Sequence, residues 1–311
     1  MSQGHHNHKH GIAPQEKGVR RLVWALGVNV LLTSVQLIGG VVSGSLSLIA
    51  DAVHNFSDAA SLMIALIARQ WATKPADKER TFGYRRAELI GAMINLTTLI
   101  MIGLYLLFEA TLRIFQPEPI AGWIVVIIGG VALLIDVITA ALTYSLAKNS
   151  INIRAAFLHN LADAFSSVAV IIAGSLIILY EWYFVDTLCT FLIAGYVLYH
   201  GGVEIRSVIR ILMQSTPVDL DIGDIVLTLK EINSIQDVHH IHVWEMDEHT
   251  RSMEAHVVIA EQDPNQIESV KTRIKDCLRE QFRIEHSTIE FETMGHQGEE
   301  GCNENTMVVP H

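Results

Sequence analysis

Two short stretches of the chain set ionisable side chains among apolar ones. The first is Asp51-Ala-Val-His54-Asn-Phe-Ser-Asp58 and the second His159-Asn160-Leu-Ala-Asp163. Residues four apart on an α-helix share a face, so His54 points with Asp58 and His159 with Asp163. Brought together, two imidazoles and two carboxylates make a full tetrahedral set for Zn2+, with no thiolate required. The stretches also match one another: HNFSDAAS (54–61) and HNLADAFS (159–166) share His, Asn, Asp, Ala and Ser at corresponding places. A single intramembrane His or Asp is commonly an interhelical hydrogen bond. Two matched H-x-x-x-D pairs argue for ligands. Asp51 lies on the same face one turn toward the outside, as an exit-path ligand or a partner of the ligands, and Asn55 and Asn160 read as packing or hydrogen-bonding groups.

The elements that must position these groups follow from hydropathy. Half of the 311 residues are hydrophobic and the mean hydropathy is +0.33, with the apolar runs concentrated between residues 19 and 211. A bilayer-spanning helix needs about 20 apolar residues, and the sequence predicts six, at 22–44, 46–70, 89–113, 120–147, 155–179 and 184–209. Helix is the form that satisfies the backbone of such segments in lipid. The two motifs fall in spans two and five. With three spans per half, the repeated halves run antiparallel, and the site is expected where they meet. Counting about 1.5 Å per residue, Asp58 and Asp163 both lie about 18 Å below the outer surface.

Basic residues fix the expected orientation. Lys9, Lys17, Arg20, Arg21, Arg69, Lys74, Lys78, Arg80, Arg85, Arg86, Lys148, Arg154, Arg206 and Arg210 fall on one side, and Arg113 on the other. The positive-inside rule then places both termini in the cytoplasm. The polar start of the chain carries no cleavable signal pattern. Among other polar residues in the spans, Glu109 and Arg113 read as an i,i+4 ion pair. Asp136 is read either as part of a proton or metal path or as an interhelical hydrogen bond. Asp186 is expected near an outer vestibule.

Past residue 213 the pattern becomes that of a soluble domain. Helical periodicity at 222–232 and 264–282 and strand patterns at 238–246, 252–260 and 284–291 give the order α-β-β-α-β. The expected organisation is a His-containing tail (1–18), a transmembrane domain (19–212), a cytoplasmic α/β domain (213–294) and a C-terminal tail (295–311). Strand alternation sends two of His239, His240 and His242 one way and one the other. The formal charge of −11 argues against nucleic acid and fits a cationic partner. Cys189, Cys277 and Cys302 form no CxxC pair, so neither a disulfide framework nor a thiolate site is expected. No H-E-x-x-H occurs, and two His with two Asp leave no open position for hydrolysis, which weighs against an intramembrane metalloenzyme. A metal sensor would need an output domain that the small tail does not offer.

The paired motifs, the stretch Phe82-Gly83-Tyr84-x-Arg86-x-Glu88 and the His-Val-Trp at 242–244 resemble the cation diffusion facilitators, above all their bacterial zinc/cadmium/cobalt efflux subgroup. The resemblance spans about residues 17–293. It implies a six-helix membrane domain with a ferredoxin-like cytoplasmic domain, a homodimer in the bacterial inner membrane, and export of Zn2+ against protons by alternating access. In that family, His at the position of His54 goes with zinc, with Cd2+ and Co2+ as further substrates. His239, His256 and His286 match positions that bind zinc in relatives, whereas Ser269 and Thr288 stand at two other ligand positions. In the 74–86 loop, Arg80 and Tyr84 replace metal-binding histidines. No metal is expected there; the loop's basic residues are left for lipid headgroups or interdomain ion pairs.

Overall fold

A computed structural model describes residues 13–72, 74–147, 151–260 and 264–293. The histidines of the first ten residues and Cys302 lie outside the described residues. Six long helices come first: α1 (Ala13–Ser43), α2 (Leu46–Ala72), α3 (Ala87–Phe115), α4 (Gly122–Ala147), α5 (Ile151–Tyr180) and α6 (Phe184–Leu212). They are followed by α7 (Ile222–Lys230), β1 (Ile235–Glu245), β2 (Arg251–Ile259), α8 (Pro264–Phe282) and β3 (Ile284–Thr293). Each expected element is present, with ends displaced by a few residues, except that α1 begins nine residues before the expected start at 22. The chain divides into two compact units, Met1–Ile67 with Ile94–Glu204, and Ala68–Met93 with Ile205–His311. The second unit takes in the α2–α3 loop and the last turns of α6, where the sequence placed a boundary at 212.

Among the described residues, four helices are long and apolar enough to cross a membrane: Ala87–Phe115, Gly122–Ala141, Asn160–Tyr180 and Phe184–Leu212. In α1 the side chains are described from Gly27 on, and the stretch Gly27–Ser43 is apolar. The helix α2 pays for its chemistry in hydropathy, because Asp51, His54 and Asp58 interrupt its apolar face. Outward-facing Leu31, Ile38, Val41, Phe108 and Ile114 are all more than half exposed, a surface suited to lipid rather than water.

Within the first unit, Leu48 of α2, Leu106 of α3, Val125 of α4, Val170 and Ile177 of α5 and Val197 of α6 share one buried cluster. Between α4 and α5, glycines allow close approach. A Cβ on Gly122 would lie 2.8 Å from the carbonyl oxygen of Gly174, and one on Gly174 would lie 2.9 Å from Val126. Such close backbone approach is how helices pack in lipid, where no hydrophobic effect drives them together. At the start of α2, Ser45 is the N-cap, its hydroxyl accepting from the Leu48 N–H at 3.2 Å. Asp186 of α6 also caps this end. Its Oδ1 accepts from the Ser45 and Ser47 hydroxyls at 2.5 Å each, and Oδ2 from the Leu46 N–H at 2.9 Å. Asp186 is therefore fully buried and anchors a helix terminus, where the sequence placed it facing a vestibule. Glu109 pairs with Arg113 at 3.8 Å as expected, and Arg113 also reaches Glu118 at 3.1 Å and the Gly44 carbonyl.

In the second unit the sheet order is β1-β2-β3, with β1/β2 antiparallel and β2/β3 parallel. The β2-α8-β3 crossover accounts for the parallel pair. Ile225 and Leu229 of α7 and Ile274 and Leu278 of α8 join Ile241, Met253, Val257 and Ile284 of the sheet in one core. The amphipathic helices thus cover one sheet face, and the histidines line the other. A bulge between His239 and His242, with His240 at φ 49°, breaks the simple alternation of β1.

The α2–α3 loop folds around Asp77. Its Oδ1 accepts from the Glu79 and Arg80 N–H groups at 2.9 and 2.7 Å, and its Oδ2 from the Tyr84 hydroxyl at 2.7 Å. Hydrogen bonds thus close the loop. Arg85 then reaches the β1–β2 turn, donating to Thr250 Oγ1 at 2.6 Å and lying 3.5 Å from Asp247. The loop's basic residues are expected at lipid headgroups or in interdomain ion pairs; this pair joins the loop to the β1–β2 turn inside the second unit.

Candidate metal centre

The i,i+4 spacing of His54 and Asp58 on α2 turns both side chains to one face, and there they meet α5. His54 Nε2 lies 3.7 Å from Asp58 Oδ2 and 3.2 Å from Asp163 Oδ1. One ligand atom from each of His54, Asp58 and Asp163 falls within 4.8 Å of the others. In a tetrahedral zinc site with bonds of about 2.0–2.2 Å, donor atoms stand about 3.3–3.6 Å apart. The two measured separations bracket that range. The side chains of His54 and Asp163 are 13% and 10% exposed and that of Asp58 is 32% exposed, so the centre is enclosed but reachable. Tyr196 of α6 stands edge-on to the His54 ring at 6.0 Å. His159 lies on α5 four residues before Asp163; its side chain falls outside the described ones.

Asp51 is buried, and both its oxygens accept hydrogen bonds at 2.6 Å, from Gln36 on α1 and from Ser166 on α5. Asp136 accepts from Ser167 of α5 at 3.0 Å, which is the interhelical hydrogen bond among its two readings.

A second cluster lies on the open face of the three-stranded sheet. His256 Nδ1 is 2.7 Å from Glu292 Oε1, and His239 Nε2 is 3.5 Å from Glu292 Oε2. These three residues also offer ligand atoms within 4.8 Å of one another. His286 is not among them. It pairs with Ser252, whereas His256 pairs with Glu290, which sets His286 about 13 Å along the strand from that rung. There it stands edge-on to Phe82 at 6.0 Å. The β1 bulge corrects the alternation expected of the three β1 histidines. His240 stacks on His256 at 4.6 Å and meets His242 at 5.2 Å, so all three share the open face. Glu292 carries no sequence signal beyond an acidic residue on an alternating strand.

Residues 22–213 match the cation efflux transmembrane domain family and residues 217–294 the cation efflux protein cytoplasmic domain family. The chain belongs to the cation efflux family. This cation efflux protein is 35% identical over 294 residues to a Bacillus velezensis protein named cadmium, cobalt and zinc/H(+)-K(+) antiporter, covering 94% of this chain and 93% of the relative. It is 32% identical over 308 residues to the Escherichia coli zinc transporter ZitB, covering 98% and 97%. To the Cupriavidus metallidurans metal cation efflux system protein CzcD it is 33% identical over 294 residues, covering 94% and 90%. Like them it is a multi-pass membrane transporter of metal cations rather than an enzyme.

Proposed function

We propose that this protein exports Zn2+, with Cd2+ and Co2+ as further substrates, from the cytoplasm in exchange for protons at a centre made by His54, Asp58, His159 and Asp163. The observation that carries the reading is the convergence of three of these residues, from two helices, to within 4.8 Å of one another, with His54 at 3.7 and 3.2 Å from the two carboxylates. Imidazole and carboxylate must both be deprotonated to bind metal, so a cation and protons compete for the same atoms. That competition, presented alternately to the two sides of the membrane, is an antiport cycle. The dication offsets the cost of enclosing two carboxylates among apolar helices. The names of the relatives support metal efflux, and two of them name zinc.

On this reading the chain has six transmembrane spans, sits in a bacterial inner membrane with both termini cytoplasmic, and works as a homodimer. The cluster of His239, His256 and Glu292 is read as a separate cytoplasmic metal site, in which one carboxylate joins two imidazoles.

The test is metal uptake into inside-out proteoliposomes with an imposed pH gradient, comparing the parent with Asp58→Ala and Asp163→Ala. The parent is expected to accumulate zinc with counterflow of protons, and both variants to lose uptake while inserting normally. Variants that transport like the parent would make the paired motifs structural and end the proposal.

A further inference from the structure

Beside the centre lies a set of buried polar side chains outside the ligand set. Gln36 is 0%, Asp51 2% and Asn55 6% exposed, three polar groups on helices read as crossing a bilayer. Asn55 Nδ2 donates to Gln36 Oε1 at 3.1 Å, and Gln36 Nε2 donates to Asp51 Oδ2 at 2.6 Å. The Ser166 hydroxyl donates to Asp51 Oδ1 at 2.6 Å. Donation runs one way along this chain and ends on a carboxylate that can only accept. The amide of Gln36 is held in one orientation by it, since reversal would set nitrogen against the nitrogen of Asn55 and oxygen against Asp51.

Position gives the network its meaning. Asp51 stands three residues before His54 and Asn55 one after it, so Gln36 grips α2 on both sides of a metal-binding histidine. Ser166 stands three residues after Asp163, so the same carboxylate ties α2 to α5 one turn from the second half of the site. The adjacent Ser167 donates to Asp136 of α4, which fixes the same turn of α5 to another helix. With one hydrogen bond to each of its oxygens, Asp51 is tied to α1 and to α5 at once.

We propose that Gln36, Asp51 and Ser166 form a bracket that sets the separation between the metal-binding faces of α2 and α5, and so the choice between zinc and a larger cation. The proposal rests on the transport reading of the His54 centre. Ligand positions must be held within about 0.5 Å for a site to keep its metal preference, and surrounding hydrogen bonds do the holding. Loss of one arm lets the helices separate, which penalises the short zinc bonds more than the longer ones of Cd2+.

The experiment is Zn2+ and Cd2+ uptake by proteoliposomes of the full chain carrying Gln36→Leu, Ser166→Ala or Ser166→Thr, with Asp163→Ala alongside. Gln36→Leu and Ser166→Ala are expected to raise the KM for zinc by about tenfold, with a smaller change for cadmium and the maximal rate retained. Ser166→Thr keeps the hydroxyl and is expected to keep the parent's zinc-to-cadmium ratio. Should Gln36→Leu fail to insert, Ser166→Ala decides alone, since it removes only one oxygen from a partly buried position. Unchanged zinc KM and ratio in the inserting variants would overturn the bracket, as would Thr and Ala behaving alike. If Asp163→Ala transports like the parent, the reading of the centre fails and the bracket falls with it. If Asp163→Ala abolishes uptake while Ser166→Ala matches the parent, the bracket alone is wrong.

Discussion

Replacing Asp186 with alanine removes a buried acceptor from the start of α2, and the structure sets the size of the effect. The Ser45 and Ser47 hydroxyls lie 3.2 Å apart and can pair with each other once the carboxylate is gone, so they lose little. The Leu46 N–H, 2.9 Å from Oδ2, has no such recourse. A buried donor left unsatisfied costs about 1–3 kcal/mol, and losing a negative group at a helix N-terminus costs up to about 1 kcal/mol more. A loss of about 3 kcal/mol in a domain of this size lowers the melting temperature by about 6–12 °C. Asp186→Asn keeps one oxygen for the Leu46 N–H and gives the serine hydroxyls an N–H to accept from. It is expected to cost about 1 kcal/mol, or about 2–4 °C. The assay is thermal unfolding of purified protein in one detergent at one scan rate, because irreversible melting makes the midpoint rate-dependent. Asp186→Ala melting within about 1 °C of the parent, or no better in the Asn variant than in the Ala one, would refute the capping argument.

At the cytoplasmic cluster, Glu292→Gln is expected to weaken zinc binding about tenfold by calorimetry, while zinc uptake that depends on Asp163 persists. The Tyr84 hydroxyl, then the Arg80 N–H, holds the exposed Asp77 carboxyl below its ordinary value. A folded-state pKa below the unfolded one stabilises fully above the ordinary carboxylate pKa and less as pH falls below it. Tyr84→Phe is therefore expected to shift the acid opening of the 74–86 loop upward, toward about pH 4, measured by amide hydrogen exchange. Arg85→Ala removes the link to Thr250 and Asp247. Because the guanidinium is half exposed, the expected loss is below about 1 kcal/mol, read as faster exchange in the loop with zinc affinity at the His54 centre unchanged.

The sequence could be read furthest where the physics is local. His54 and Asp58 needed only helix geometry to share a face, and the internal repeat supplied Asp163 as the partner from the other half. Six apolar segments set the long helices, and a change of period near residue 213 set the cytoplasmic domain. What escaped depends on how distant elements settle against each other. Asp186 finds its donors 139 to 141 residues away, and nothing near it in sequence marks it as a cap. Glu292 joins His239 and His256 only because β2 and β3 run parallel in the register that sets His256 opposite Glu290. His286 has the more suggestive side chain, but that register puts it several residues from the cluster.

The β1 bulge makes the same point within a single strand. Period-two alternation separates His239, His240 and His242, yet one residue at positive φ returns all three to the open face. Gln36 is the most instructive case, since a buried glutamine in an apolar helix reads as a generic interhelical hydrogen bond. Its place between Asp51 and Asn55 is fixed by the rotation of α1 against α2, a quantity that no motif encodes. Candidate ligands of such a centre are therefore visible in sequence as residue types at helical spacing. The groups proposed to hold them at the right separation emerge only when the helices are packed.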